Sequence, residues 1–168
     1  LAIIILPMAL LPAIAIGEYW REGLQTAPRT LLACMIAIVS GAAITNATQV
    51  SVGTGHSCAR LADGTARCWG LNTNGRLGDG TTTQRTSPVT VLSAAGVPLT
   101  GVVSISAGAT HTCVVLTTGA VRCWGANTNG QLGNGTLVNS SSAVVVTGVA
   151  NATQITAGFA HTCARLAT

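Results

Sequence analysis

Lysine is absent from this 168-residue sequence, only four residues are acidic (Glu18, Glu22, Asp63, Asp79), and aromatics make up 3%. Glu18 and Glu22 form the one close carboxylate pair and lie in an apolar leader, which leaves little for acid–base chemistry between paired carboxylates. Eight arginines, spread thinly rather than in runs, give a net charge of +4, a weak lure for nucleic acid. Catalytic signatures are missing as well: there is no G-x-S-x-G, no H-E-x-x-H and no glycine-rich phosphate loop with its lysine. What is abundant is aliphatic side chain and glycine, with 48% hydrophobic residues and 20 glycines. Such a chain is not of the disordered class, and its core must be built from Val, Ile, Leu and Ala between tight turns.

Residues 1–16 and 31–44 are two apolar runs separated by a polar stretch, each short of the roughly 20 residues that span a bilayer. The second follows Arg29 and ends in Ser40-Gly41-Ala42-Ala43, which fits a secretory signal, with a retained membrane helix as the open alternative. Cys34 is no lipoprotein anchor, because the stretch before it is polar and contains Arg29. The expectation is an apolar helical leader over 1–45, export from the cytoplasm by either route, and membrane association through the leader.

Three internal copies follow: a unit over 46–101, a second over 102–150 and the opening of a third over 151–168. Their first cysteines, Cys58, Cys113 and Cys163, are 55 and then 50 residues apart, and the first unit's extra residues fit an insertion at 93–100. Apolar residues alternate in Val50 and Val52, and in Val103, Ile105 and Ala107, as in strands. Gly64 and Gly119 each hold the third position of a three-residue hairpin loop, where a left-handed residue is needed. With that loop, residues summing to 126 in the first hairpin and to 236 in the second lie opposite one another. Cys58 then faces Cys68, and Cys113 faces Cys123, close enough for cross-strand disulfides. By the same rule Cys163 needs a partner near position 173. Turn-rich segments follow (residues 70–80 and 125–135), then apolar Val89–Leu92 and Val144–Val149 as a fourth strand. Four short strands per unit of about 50 residues is the sequence form of a β-propeller blade.

The unit A-G-x-x-H-T-C followed by G-x-V-x-C-W-G-x-N-x-x-G-Q-L-G-N-G resembles the regulator of chromosome condensation repeat. In the second copy it is carried by Ala107, Gly108, His111, Thr112, Gly119, Val121, Trp124, Gly125, Asn127, Gly130, Gln131, Leu132, Gly133 and Gly135. The resemblance implies an all-β, seven-bladed propeller of four-stranded antiparallel blades, of which two and a part units are an incomplete ring. It also implies roles as different as guanine nucleotide exchange on a small nuclear GTPase and inhibition of β-lactamases by secreted bacterial members. Fold alone does not choose among them. A cysteine pair in each unit departs from the nuclear members and points to the bacterial, extracytoplasmic branch.

His56, His111 and His161 each stand two residues before a cysteine, and His-x-Cys with a facing Cys offers three soft ligands to zinc. Repetition of the set in every unit favours packing instead, and no metal or cofactor is expected. Trp69 and Trp124 are read as filling gaps between units or covering the disulfides, and Arg60, Arg67, Arg122 and Arg165 as solvated strand residues. Positions that differ between units are where partner recognition resides on a repeated scaffold. Arg76, Arg85, Val97 and Leu99 are therefore the candidate binding-loop residues. The function expected is a non-enzymatic, exported scaffold that binds a protein at the cell surface or envelope. It takes no nucleic acid and no small-molecule substrate, and the alternatives are an accessory propeller module of a larger secreted or surface enzyme and, ranked below it, a nucleotide exchange factor.

Overall fold

Ten strands, all antiparallel, form two four-stranded sheets and a two-stranded one in the computed structural model, which describes residues 44–167. The expected leader helix and Cys34 lie outside the described residues. The first unit contributes β1 (Ala47–Val52), β2 (His56–Leu61), β3 (Ala66–Gly70) and β4 (Arg85–Thr90) in that order across the sheet. The second contributes β5 (Val102–Ala107), β6 (His111–Leu116), β7 (Val121–Gly125) and β8 (Ser140–Val145). The third contributes β9 (Ala152–Ala157) paired with β10 (Thr162–Leu166).

Hairpin register follows the glycines. Gly64 (φ 76°) and Gly119 (φ 75°) close the β2–β3 and β6–β7 turns in the left-handed region that only glycine enters at no cost. The resulting pairs include Cys58 with Cys68 and Cys113 with Cys123. Leu61 N donates to Thr65 O across the first turn. Counting back by alternate pairs places Cys58 and Cys68 at a non-hydrogen-bonded position, where opposed side chains approach most closely. Both cysteine pairs are disulfide-bonded, with Cα atoms 4.1 Å apart, while Cys163 is free and exposed.

Two details of strand placement differ from the sequence expectation. Strict alternation fails at the start of each unit, because register shifts lie between Ala47 and Gln49, between Val102 and Ser104, and between Arg165 and Leu166. The inserted residue turns Val103 outward and puts Val102, Ile105 and Ala107 inside. The fourth strands also begin and end earlier than the apolar runs 89–92 and 144–149. Gly70 pairs with Arg85 and Gly125 with Ser140, so pairing captures polar residues, and Val91 leaves the strand to become fully buried.

The core sits between units rather than within one. A first cluster joins Cys58, Cys68, Leu77 and Val91 of unit one to Val102, Ile105, Val114 and Trp124 of unit two. A second joins Cys113, Cys123 and Leu132 to Ala152 and Ile155 of unit three. Cys58 belongs to the first cluster, while its neighbour Ala59 packs with Ile44 and Trp69 on the opposite face of the sheet. The first and second sheets are thus apolar on both sides, the condition for stacking in a row.

Candidate functional site

Between the stacked sheets a polar ladder repeats with the unit. Ser51 Oγ accepts from Ala107 N, and Ser106 Oγ from Ala157 N, each at 2.9 Å. The Gln49 amide brackets Ile105, donating to its carbonyl at 3.0 Å and accepting from its N–H at 3.1 Å. His56 Nε2 meets Thr112 Oγ1 at 2.8 Å, and His111 Nε2 meets Thr162 Oγ1 at 2.9 Å. Thr112 Oγ1 donates to Arg76 O, and Thr162 Oγ1 to Gln131 O. A hydroxyl has one proton, so its use on the carbonyl makes each histidine Nε2 the donor, and in the neutral ring Nδ1 is then the unprotonated nitrogen.

This arrangement commits His56, His111 and the four paired cysteines to packing rather than to a metal. The cysteines of both complete units are oxidised to disulfides, each Nε2 is committed to a threonine, and each Nδ1 is buried without a partner. Protonation would create a second buried N–H with no acceptor. Burial above all lowers the His56 pKa from 6.5 to about 4, with positive charge on Arg76 and His111 adding to the effect. Burial likewise lowers His111 to about 4, with His161 adding.

A pH dependence follows with a definite sign. Above pH 6.5 neither state of the chain carries these protons and the seams keep their full stability. As pH falls from 6.5 toward 4 the unfolded chain takes up protons that the folded one excludes. Stability then drops by about 1.4 kcal/mol per pH unit for each histidine. Urea midpoints measured from pH 7 to pH 4 will show the decline, and His56→Gln will make it shallower.

The long loops joining β3 to β4 and β7 to β8 are built around a buried asparagine. Asn127 Nδ2 donates to Thr136 O at 2.8 Å, to Val138 O at 3.1 Å and to Asn134 Oδ1 at 3.1 Å, while its Oδ1 accepts from Leu132 N at 2.9 Å. Asn72 repeats this in unit one with Thr81 O, Thr83 O, Asp79 Oδ1 and Leu77 N. Sequence reasoning took these asparagines as turn composition. Their recurrence at one position in each unit was the signal of a side chain bracing a whole loop. Asn127→Ala strands several backbone groups inside the loop and is expected to cost about 2 kcal/mol in chemical denaturation.

The four candidate binding residues divide evenly. Val97, 57% exposed, stands at the tip of the insertion, which Ser93 N closes on Val97 O and Gly96 N on Ser93 O. Leu99, 5% exposed, turns back into the first core cluster, so it is a packing residue and not part of a recognition surface. Arg85 lies at the surface but its Nε is 2.9 Å from Asp79 Oδ2. Unit two replaces this ion pair with Asn134 and Ser140 at the matching positions. Arg76 is not a free loop side chain either: it is 8% exposed, and its carbonyl accepts from both Thr112 Oγ1 and Trp124 Nε1 across the seam. Its Nη1 also reaches the second unit, donating to Ala109 O at 3.3 Å.

Exposed apolar residues lie at both ends of the sheets: Val52, Leu71, Leu137, Val138 and Phe159 at the end that carries the long loops, and Val103, Val145 and Leu166 toward the hairpin end. Val97 also stands at the hairpin end. No group of three or more potential metal ligands occurs among the described residues.

Two profiles of the Regulator of chromosome condensation (RCC1) repeat match this sequence, one over residues 47–76 and 102–131, the other over 63–115 and 118–165. The chain is 42% identical over 86 residues to the probable E3 ubiquitin-protein ligase HERC3 of Homo sapiens, covering 51% of this chain and 8% of that protein. It is 38% identical over 91 residues to the ultraviolet-B receptor UVR8 of Arabidopsis thaliana, covering 54% of this chain and 20% of the receptor. Among solved structures, human WBSCR16 superposes with a TM-score of 0.63 at 22% identity, over 73% of this chain and 31% of that one. Yeast RCC1 (Prp20), solved bound to Kap60, superposes with a TM-score of 0.60 at 20% identity, over 73% and 30%. These likenesses establish the fold, and the chain spans less than a third of each of these four proteins.

Proposed function

This chain belongs to the regulator of chromosome condensation repeat family, and from that premise we propose that it is a non-enzymatic, protein-binding propeller scaffold of an exported bacterial protein, acting at the cell surface or envelope. One observation carries the reading. The side chains that recur from unit to unit (the histidines, the paired cysteines, the loop asparagines) are consumed in seams and loop bracing. Outward-facing apolar side chains such as Val97, Leu137, Val138 and Phe159 fall where the units differ. A rigid array presenting variable loops lowers the ordering cost of association.

The exported setting draws its support from the two cross-strand disulfides, since such bonds persist in oxidising compartments. Alkylation of the protein taken unreduced from its own cells is expected to spare Cys58, Cys68, Cys113 and Cys123, and modification of all four overturns the setting. The binding role is tested by cross-linked capture from envelope fractions with the native chain, Val97→Asp, and the Leu137→Asp/Val138→Asp pair. Loss of a specific protein with either variant supports the scaffold. Identical capture by all three overturns it. The second reading, an accessory module of a larger enzyme, is favoured by the human ligase, of which the matched segment is a small share.

A further inference from the structure

Arg76 carries a charge that nothing among the described residues balances. Its side chain crosses from the β3–β4 loop onto the second unit, where Nη1 donates to Ala109 O at 3.3 Å and Nε is buried without a partner. Two carboxylates lie among the described residues, and both are engaged elsewhere. Asp79 is held by Arg85, Asn72 and Thr81, and Asp63 by Thr65 at the hairpin end of the sheets. Burial lowers the guanidinium pKa, but an arginine has ample margin to remain a cation.

Unit two shows that the fold does not require the charge. Gln131 occupies the equivalent position and is 5% exposed. Its carbonyl accepts from Thr162 Oγ1 as that of Arg76 accepts from Thr112, and its side-chain oxygen accepts from Asn129 N. The backbone role is shared and neutral side chains satisfy it. Placing a cation there instead carries a desolvation cost, met inside the protein by the bond to Ala109 O and by no carboxylate. That is the pattern of a group held ready for an external anion.

We propose that Arg76 is the anchor for a carboxylate of the protein partner, making the loop end of the sheets a docking face for an acidic segment. The inference rests on the scaffold reading above and names its partner's chemistry. Beside the anchor lies an apolar contact: Ala109, whose carbonyl Arg76 holds, donates its own N–H to Gly158 O, and the next residue is Phe159, 78% exposed. An acidic segment with an apolar side chain matches a guanidinium tip flanked by an open aromatic ring.

The probe is a tetraglutamate peptide, with tetraglutamine as control, titrated into the full chain at low ionic strength and followed by NMR. Native protein is expected to show shifts centred on the Arg76 Nη–H groups and the Ala109 and Thr110 amides with glutamate only. Arg76→Gln, the residue that unit two already tolerates, is expected to weaken binding at least tenfold without lowering the urea midpoint. Arg85→Gln leaves the affinity within twofold. No shift at Arg76, equal affinity in Arg76→Gln, or a lowered midpoint in that variant each overturns the proposal, the last by making the charge structural. Partner capture separates the two levels: a partner held equally by native and Arg76→Gln protein ends the carboxylate anchor and leaves the scaffold standing.

Discussion

Trp124→Ala is expected to cost about 4 kcal/mol, the largest single-residue effect in the chain. Its indole is fully buried in the cluster that joins units one and two, and its Nε1–H donates to Arg76 O at 2.9 Å. Gly78 leaves room for it: a β-carbon there would stand 2.8 Å from the indole nitrogen. Truncation opens a cavity that the flanking strands cannot close, because both are fixed by their own sheets. Trp124→Phe keeps most of the apolar contact and removes one donor from a carbonyl that Thr112 still satisfies, so about 1 kcal/mol is expected. Trp69, the same residue of unit one, is only half-buried, and its replacement by Ala will cost well under half as much. Urea denaturation of the three variants checks the order, and equal losses for Trp69→Ala and Trp124→Ala would show that the seam does not hold the array.

Reduction of both disulfides, or replacement of all four cysteines by alanine, is expected to lower stability by about 6 kcal/mol, from about 3 kcal/mol for each short ring. Each bond lies in a hairpin whose register the glycine turn already sets, so the gain comes from restricting the unfolded chain rather than from building the native pairing. The bonds are fully buried and face the next sheet, Cys58–Cys68 toward unit two and Cys113–Cys123 toward unit three. Reductant acting on the folded protein is therefore expected to be slow, and Cys163, already a free and exposed thiol, is expected to be alkylated before any of the four disulfide cysteines. Denaturation with and without reductant measures the size, and timed alkylation with mass spectrometry measures the order.

Much of this was legible in the sequence by itself. Repeat spacing, the glycine at the third turn position and the sums 126 and 236 fix hairpin pairing, because a strand's side chains alternate and one turn residue sets the register for the whole hairpin. The cross-strand cysteines follow from those local rules. Tertiary structure alone decided which face each side chain serves. The first two sheets are buried on both faces, so polarity no longer marks inside from outside: Leu99 went in at the hairpin end, Arg76 went in at the loop end, and Val103 came out on a bulge. The histidine–threonine pairs and the unbalanced Arg76 charge belong to that second class. They join residues some 30 to 60 positions apart through contacts between stacked sheets, and no local pattern encodes which neighbour a surface will meet.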